Sequence, residues 1–375
     1  MRWSTFAHFF CHLSLLLASL CLTGCAPESE SSSSLATPAR YSAADESRFT
    51  ASPPGTLAAY FFDVDQGDAT LLAGPDFTIL VDAGRHDRGD VVPYLQAAGV
   101  EKIDLLIGTH PHADHIGQIS QVMAAFAVSE VWMSGDSHGS RTFENALDAI
   151  LDSDARYHEP RAGEVTQVGS ARIEVLNPTT VTGDFHAGCI AVRVVFGEVA
   201  LLLTGDVETP NEWQMIQSGY PLQAQVLKLG HHGSSTSSSP EFLRAVRPEV
   251  AIYSAGVDNS YGHPHAEVIQ RVTDLGLRVY GTPQHGTIRL LTDGRRYEIE
   301  TRHGGTYLAS ENPGGININT APKDELVRIA HVGPERAEQL IRRRPFRTLD
   351  DLKQLDGISD GRLREIKAQG LARVE

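Results

Sequence analysis

The chain has 375 residues, of which 41% are hydrophobic and 21% charged, and this globular composition excludes a fibrous fold or wholesale disorder. With 32 Lys and Arg against 47 Asp and Glu, the formal net charge is −15, which is not typical of a protein that binds nucleic acid over its whole surface. The charge is uneven, because residues 313–375 carry 12 basic and 10 acidic side chains. Any contact with DNA is therefore expected in this C-terminal part.

The N-terminus has the pattern of an export signal. Arg2 precedes an apolar stretch, residues 6–22, which contains no Asp, Glu, Lys or Arg and leads into Thr23-Gly24-Cys25. The ending Leu-Thr-Gly-Cys resembles the bacterial lipobox, which implies that residues 1–24 are a lipoprotein signal peptide and that Cys25 is lipidated. The protein is then exported and lipid-anchored at the cell envelope. An uncleaved transmembrane anchor is the alternative.

Residues 25–55 are predicted to be a flexible tether. They include a run of serines from Ser31 to Ser34 and few large apolar side chains, so they cannot bury a core. Beyond this region the sequence lacks the long apolar segments of a channel. The chain is therefore not expected to form a transmembrane pore of its own.

Residues 56–302 alternate short apolar strands with amphipathic helices, which predicts helices packed outside sheets. Turn residues such as Gly74 and Gly197 separate consecutive strands. The predicted strands are 57–62, 69–72, 78–81, 103–108, 192–196, 199–203, 226–229, 250–254 and 277–280, and the predicted helices are 116–126, 143–151, 240–246 and 265–275.

The strongest chemical signal is the run His-Pro-His-Ala-Asp-His directly after the predicted strand 103–108. In an extended loop His110 and His112 point the same way and can converge on one metal ion. Asp114 and His115 then turn into the next helix and can serve a second. Imidazole suits zinc, and carboxylate tolerates harder cations, so a metal centre is predicted here.

This His-x-His-x-Asp-His run resembles the signature of the metallo-β-lactamase superfamily, and the resemblance extends over residues 56–302. It implies an α/β fold, the four-layer αββα sandwich, with the metal site at one edge of the sheets. It also implies that Asp82 orients a metal-ligating histidine and that Asp206, after the strand 199–203, bridges two metal ions. Two zinc ions are the expected cofactor, with manganese and a single metal ion as the alternatives.

Two further segments, residues 226–234 and 259–264, resemble the ComEC-type hydrolases of DNA uptake. In that pattern His263 is implied as the last metal ligand, and His231 and His232 as a ligand or a proton donor, which the sequence does not distinguish. The metal ligands implied by the resemblance are His110, His112, Asp114, His115, Asp206 and His263. The implied catalytic residues are Asp114, which holds a metal ion and the attacking hydroxide, and His231 and His232, one of which protonates the leaving oxygen.

One region departs from the family pattern. Where many members of the superfamily have another ligating histidine, and where ComEC-type proteins have none, this chain has His186 and Cys189. Either residue could complete a metal site, and Cys189 would favour zinc because its sulfur is a soft ligand. The alternative for Cys189 is a small buried apolar side chain. No internal disulfide is expected, since the other cysteines fall in the signal or at the lipid site.

After a linker, residues 303–315, the segment 316–375 is predicted to be a small all-α domain of two helix-turn-helix units, with helices at 323–330, 335–343, 349–355 and 360–369. Its opening Ile-Asn-Ile-Asn-Thr-Ala resembles the helix-hairpin-helix domain of ComEA-type competence proteins. The resemblance implies turns that bind DNA phosphates without reading bases, with Gly333 and Gly357 allowing close approach and Arg336 adding a phosphate contact. His331 stands where the first glycine is usual. A helical domain for protein contacts is the alternative.

Together these features predict an exported metal-dependent hydrolase, a phosphodiesterase or nuclease that acts on DNA held by the C-terminal domain. One alternative is a hydrolase of a small molecule, such as a lactone or a β-lactam, whose C-terminal domain serves protein contacts. Another is a binding module without catalysis, which the intact set of His and Asp side chains disfavours. The presence of the C-terminal domain favours DNA over a small molecule.

Overall fold

The structure, a computed structural model, describes residue 49 and residues 51–303, 306–308, 316–369 and 372–374. The predicted signal peptide, Cys25 and most of the predicted tether lie outside the described residues, as does most of the linker 303–315. In the part of the chain that is described, no helix has both the length and the apolar character needed to cross a membrane.

The strands are β1 (Leu57–Phe61), β2 (Thr70–Ala73), β3 (Thr78–Val81), β4 (Lys102–Ile103), β5 (Leu105–Gly108), β6 (Ala127–Val128), β7 (Glu130–Met133), β8 (Arg156–His158), β9 (Val165–Val168), β10 (Ala171–Asn177), β11 (Ala191–Phe196), β12 (Val199–Leu203), β13 (Val226–Lys228), β14 (Val250–Tyr253), β15 (Arg278–Gly281), β16 (Ile288–Thr292), β17 (Tyr297–Thr301), β18 (Thr306–Leu308), β19 (Ile316–Asn317) and β20 (Ala372–Arg373). The helices are α1 (Val91–Ala97), α2 (Ile119–Ala125), α3 (Arg141–Leu151), α4 (Thr209–Ser218), α5 (Pro240–Val246), α6 (Ala266–Asp274), α7 (Thr282–His285), α8 (Lys323–Leu326), α9 (Pro334–Arg343) and α10 (Asp360–Gln369), with 3-10 turns at Gly230–Gly233 and Leu349–Gln354.

Two large sheets form the centre of the first domain. One has nine strands in the order β18-β17-β16-β1-β2-β3-β5-β7-β8, and the other has seven in the order β15-β14-β13-β12-β11-β10-β9. Because side chains alternate along a strand, each strand contributes to two layers. In β1, Leu57 and Phe61 face the core between the sheets, whereas Ala58 joins the cluster beneath α1, α2 and α3. In β12, Leu201 faces the same central core and Leu202 the cluster beneath α4, α5 and α6.

These clusters give the order helix, sheet, sheet, helix, which is the αββα sandwich predicted from the sequence. Most predicted elements differ from the observed ones by one or two residues at an end, and two larger differences have a clear structural cause. The strand 103–108 is interrupted at Asp104, whose carboxylate accepts a hydrogen bond from Thr78 N at 2.8 Å. The helix 116–126 begins only at Ile119, because Gly117 N donates to Gly84 O and holds the preceding turn against β3.

The parallel strands bring the functional segments together. β5 lies parallel to β3 and β7 in one sheet, and β13 lies parallel to β12 and β14 in the other. Their carboxyl ends are followed by Asp82 after β3, the loop 109–115 after β5, Asp206 after β12 and the turn Gly230–Gly233 after β13. Chemistry-bearing residues from both sheets therefore meet at one edge of the sandwich.

Residues 316–374 have a hydrophobic core of their own, which includes Ile318, Leu340 and Ile366. The first helical unit has a shorter leading helix than predicted, since α8 ends at Leu326. A short parallel pair, β19 with β20, joins the two ends of the domain and was not part of the all-α expectation. Asn319 fastens the two units, because its amide donates to Phe346 O at 2.9 Å and accepts from Phe346 N at 2.7 Å.

Candidate functional site

Asp82 organises the loop that carries the His/Asp motif. Its carboxylate accepts hydrogen bonds from Thr109 N at 2.8 Å, Thr109 Oγ1 at 2.9 Å and His115 Nδ1 at 2.8 Å. Thr109 Oγ1 in turn lies 3.1 Å from His110 Nδ1 and accepts its proton. Because both histidines donate through Nδ1, Nε2 is the nitrogen of each ring that is left for a metal ion, as in metal-ligating histidines.

A first ligand group consists of His110, His112, His186 and Asp206, whose ligand atoms all lie within 4.8 Å of one another. His110 Nε2 is 2.9 Å from His112 Nδ1 and 3.6 Å from Asp206 Oδ2. Burial lowers the pKa of His110 well below its usual value, and the nearby positive charge of His115 lowers it further. The neutral imidazole that results is the form that binds a metal ion.

A second ligand group consists of Asp68, His115, Asp206 and His232, all of them buried. His115 Nε2 lies 3.3 Å from His232 Nε2 and 3.3 Å from Asp206 Oδ1. Asp114 reaches the same place, with Oδ2 at 3.3 Å from His232 Nε2 and 4.0 Å from His115 Nε2. His232 Nδ1 donates to Ser254 O at 3.0 Å, so Nε2 is the nitrogen that this ring also leaves for a metal ion.

Asp206 stands between the two groups. Its Oδ2 faces His110, whereas its Oδ1 faces His115 at 3.3 Å and His232 at 3.7 Å. Oδ1 is buried and has no hydrogen-bond partner among the described residues. A buried carboxylate oxygen without a partner is costly, so this atom fits a cation that binds here. The residues present therefore fit divalent metal binding at both ligand groups, and the Asp206 carboxylate could contribute to each of them.

The charge balance of the cluster agrees with this fit. Burial alone would lower the pKa of His115, but the carboxylates of Asp206, Asp82 and Asp114 outweigh it and raise that pKa well above the usual value. Burial opposes ionisation of Asp206, yet His115 and His232 together hold its pKa well below the usual range. The metal-free cluster thus holds protons in the place where metal ions would supply positive charge.

Asp68 is a member of the second group by distance, but its charge is already paired. The Lys228 ammonium lies 2.7 Å from Asp68 Oδ1 and 2.8 Å from Oδ2, and both side chains are buried. Burial raises the pKa of Asp68, and Lys228, His232 and His115 more than offset this, so its pKa lies below the usual value. Asp114, which lies near the same two imidazoles without a lysine partner, is the freer carboxylate ligand.

The other predicted catalytic and ligand histidines lie at the rim. His231 points Nε2 at Asp206 Oδ2, at 3.7 Å. His263 was expected to be a metal ligand, but it belongs to neither ligand group, and its ring centre is 5.5 Å from His231 and 6.0 Å from His232. The turn Gly230–Gly233 places His232 next to His115. Burial and the neighbouring histidines lower the pKa of His263 to about 4.

Cys189 lies behind the ligands and not among them. Its sulfur accepts a hydrogen bond from Asp206 N at 3.2 Å and lies 3.7 Å from His110 Nδ1. Burial raises the pKa of the thiol, so it remains protonated. The side chain packs against two ligand-bearing segments, and among the described residues it joins neither ligand group. His186, by contrast, is a member of the first group.

In the C-terminal domain the predicted DNA-contacting residues have different environments. A side chain at Gly333 would meet nothing within 4 Å, so the approach to this turn is open. Gly357 has φ +78° and lies against the Arg336 guanidinium. Arg336 was expected to contact phosphate, but it donates through Nε to Asp356 O at 2.7 Å and through Nη1 to His331 O at 2.9 Å. It thereby ties the two helical units together.

Three residues of the site had not been assigned a role from the sequence. Asp68 lies in a motif that was recognised without a role, and Lys228 and Glu208 were not singled out. A signal for Lys228 was present, because this lysine stands between Leu227 and Leu229 in an apolar run, and a buried lysine needs an anionic partner. Glu208, the N-cap residue of α4, gave no such signal.

Comparison with known proteins agrees with this arrangement. Residues 62–257, just over half of the chain, match the family described as the metallo-beta-lactamase superfamily. Residues 311–369 match the helix-hairpin-helix motif. These matches confirm the fold class predicted from the sequence for both domains.

Among curated proteins, the chain is 30% identical over 247 residues to ComE operon protein 3 of Bacillus subtilis, which covers 60% of this chain and 32% of that protein. It is 34% identical over 241 residues to Competence protein ComA of Neisseria gonorrhoeae, covering 63% of this chain and 32% of the relative. A deoxyribonuclease of Thioalkalivibrio is 43% identical over 81 residues, covering 21% of this chain and 22% of that protein. The chain thus spans about a third of the length of the two competence relatives. The similarity confirms the predicted resemblance to competence proteins.

Proposed function

The chain belongs to the metallo-beta-lactamase superfamily, and from that premise we propose that it is an exported, lipid-anchored, metal-dependent phosphodiesterase that cleaves DNA held by its helix-hairpin-helix domain. The observation that carries the proposal is the position of Asp206, one oxygen of which faces each ligand group. Metal ions bound in pairs supply Lewis acidity and a water of lowered pKa, which suits the hydrolysis of a phosphodiester.

The proposed ligands follow from the distances. His110, His112 and Asp206 would hold the first metal ion, with His186 near them as a further possible ligand. Asp114, His115, His232 and Asp206 would hold the second, so that His232 takes the place that the family resemblance implied for His263. Zinc is the proposed metal because most donors are imidazole nitrogens, and manganese is the alternative.

The remaining groups position the reaction. Asp82 and Ser254 O fix the rings of His115 and His232 through their Nδ1 protons. His231 lies at the rim with Nε2 towards Asp206, where it can donate a proton to a departing oxygen. Asp114 is close enough to the second ligand group to accept a hydrogen bond from an attacking water.

The C-terminal domain gives independent support for the proposal. Its open turn at Gly333 precedes α9, and the N-terminus of a helix favours anions such as phosphate. The match of residues 311–369 to the helix-hairpin-helix motif and the similarity to a deoxyribonuclease point the same way. We propose that this domain supplies non-sequence-specific DNA binding and that the acidic first domain supplies the chemistry.

The experiment is metal analysis of the purified chain together with hydrolysis assays on single-stranded and double-stranded DNA. We expect at least two zinc or manganese ions per chain and DNA cleavage that stops when a chelator removes them. Hydrolysis of a lactone or β-lactam without DNA cleavage would replace this proposal by the small-molecule alternative. Failure to bind metal would remove the basis of both.

The lipid anchor is tested separately. If Cys25 is lipidated, Cys25→Ser should release the protein from the membrane fraction of cells, whereas Cys189→Ser should not, because Cys189 is buried in the folded domain. A Cys25→Ser protein that stays tightly membrane-bound would indicate an uncleaved transmembrane anchor instead.

A further inference from the structure

We infer that His186, Glu208 and His231 form a third cation site at the rim of the cluster, beside the proposed pair. The three side chains each offer one ligand atom, and these atoms lie within 4.8 Å of one another. The inference goes beyond the proposed function, because it concerns an additional metal ion and holds for any substrate.

The spacing of the three atoms is that of metal ligands. Glu208 Oε1 lies 3.3 Å from His231 Nδ1 and 3.8 Å from His186 Nδ1. Bonds of about 2.0–2.1 Å at a tetrahedral angle place two ligand atoms roughly 3.3 Å apart. The rings of His186 and His231 have centroids 4.6 Å apart at an angle of 40°, so both imidazoles flank the same carboxylate.

The two ring nitrogens of His231 serve different partners. Nδ1 faces Glu208, whereas Nε2 faces Asp206 at 3.7 Å. A neutral ring with its proton on Nε2 can therefore bind a cation through Nδ1 and still donate a proton towards the metal pair. The Thr236 hydroxyl, 3.4 Å from Nδ1, is the only other polar group among the described residues that approaches this nitrogen as a hydrogen bond.

Glu208 has no other use in the described structure. It is the N-cap residue of α4, a position that favours Ser, Thr, Asp or Asn, and its side chain makes no capping hydrogen bond. In the described part of the chain its ion pairs are with His186 and His231 alone, and neither carries a charge unless protonated. A carboxylate turned away from its own helix towards two imidazoles matches a cation ligand.

The backbone holds the histidines in place at some cost. His231 has φ 50° and ψ 49°, a left-handed conformation that costs a residue with a side chain about 1–2 kcal/mol. Its N–H donates to Gly205 O at 3.0 Å. His186 is fixed by Asp184, whose Oδ1 accepts from His186 N at 3.0 Å. Such strain is concentrated where a side chain has to be presented for function.

His186 is close to the first ligand group as well, but that group has three ligands without it, namely His110, His112 and Asp206. Two imidazoles and one glutamate are the donor set of several hydrolytic zinc sites, which keep a further position open. The side chains of His186, Glu208 and His231 are 29%, 30% and 21% exposed, so solvent or a phosphate reaches the site. A cation here adds positive charge where an anionic substrate meets an acidic domain.

The test is the zinc content of the full chain. Protein stripped with a chelator, reloaded with Zn²⁺ and dialysed should contain about three zinc ions per chain, and Glu208→Gln should contain about two. Glu164→Gln is the matched control, because Glu164 forms an exposed pair with His158 at 2.7 Å and its loss should leave the content unchanged. Calorimetric titration of the metal-free chains with Zn²⁺ gives a second count, in which the last equivalent disappears in Glu208→Gln and remains in Glu164→Gln.

A wild-type chain that binds no more than two zinc ions would overturn the inference, and so would a Glu208→Gln protein with an unchanged third equivalent. If a variant does not fold, the titration of the wild-type chain alone still decides between two and three ions. DNA cleavage plays no part in these measurements, so a failure here is distinct from a failure of the proposed nuclease activity.

Discussion

The metal centre and the C-terminal domain are built in opposite ways. The centre joins buried side chains that are far apart in the sequence, such as His115 and His232, which are 117 positions apart. The C-terminal domain joins near neighbours, such as Arg336 and Asp356, which are 20 positions apart and exposed. Metal chemistry needs desolvated ligands with fixed spacing, whereas phosphate binding needs only accessible backbone and charge.

This contrast means that the two regions should respond differently to substitution. A change in the centre leaves buried charges without partners, which costs several kcal/mol and abolishes chemistry. A substitution of a basic side chain on the surface of the C-terminal domain removes a single contact with a DNA phosphate, which salt already weakens.

The largest effect is expected from His110→Ala combined with Asp114→Ala. The two residues serve different ligand groups, so both metal ions should be lost, and turnover should fall by about 1000-fold or more, since even one lost electrostatic contact costs about 100–1000-fold. Metal analysis and turnover of a small phosphodiester measure this. His158→Ala with Asp76→Ala is the control, because both residues are exposed and paired on the surface. Full metal occupancy in the first variant would refute the ligand assignment.

A smaller effect is expected from Asp82→Asn. Asp82 touches no proposed metal ion and orients His115 and Thr109, so its loss should weaken metal affinity by about 10–100-fold. Competition with a chromogenic chelator measures the affinity. Asp76→Asn is the matched control, since the Asp76 carboxylate also accepts hydrogen bonds, but from Ser170 on the surface. Equal affinities for the two variants would show that Asp82 is merely structural.

The pH dependence of metal binding is the third prediction. The pKa values of His115 and His232 are raised in the metal-free protein, and binding must displace their protons. Metal affinity should therefore fall as the pH falls through these raised pKa values, by roughly tenfold per pH unit for each proton displaced. The decline should therefore begin above pH 6.5, the ordinary value for histidine. An affinity that is flat from pH 8 to pH 6 would contradict it.

The smallest effect is expected in the C-terminal domain, from Arg336→Ala. Because Arg336 donates to Asp356 O and His331 O, its loss should destabilise the domain by about 1–3 kcal/mol, measured as faster amide exchange across α9 in the full chain. Arg343→Ala, at an exposed position, should leave exchange unchanged and reduce the salt slope of DNA binding by about one. If Arg336→Ala instead reduced the salt slope of DNA binding and left amide exchange unchanged, Arg336 would contact phosphate, as the sequence predicted.

The sequence predicted the site best where the functional residues are close together along the chain. His110, His112, Asp114 and His115 lie in one short loop, so their spacing alone predicted a metal centre. Apolar strands such as β3 and β12 were predicted with their observed bounds, since both of their faces are buried. The helices α1 and α4 were missed, because short helices without a strong apolar stripe give little periodic signal.

What the sequence could not settle depends on contacts between distant segments. The proposed choice of His232 over His263 as a ligand rests on the turn Gly230–Gly233, where two consecutive residues adopt left-handed conformations. The pairing of Asp68 with Lys228 spans 160 positions. The sequence identifies Arg336 only as a positive charge, whereas the folded domain shows that its guanidinium donates hydrogen bonds to Asp356 O and His331 O. Long-range packing, and not residue type, decides each of these roles.

The central claim is that the first domain carries the chemistry and the C-terminal domain holds the DNA. The most direct test compares His110→Ala with a chain lacking residues 313–375, each assayed for DNA binding against salt concentration and for turnover of a bis-aryl phosphate. We expect the truncated chain to keep turnover and to bind DNA more weakly with a flatter salt dependence, and His110→Ala to lose turnover while retaining DNA. A truncated chain that binds DNA as tightly as the full chain, with the same salt slope, would contradict the account.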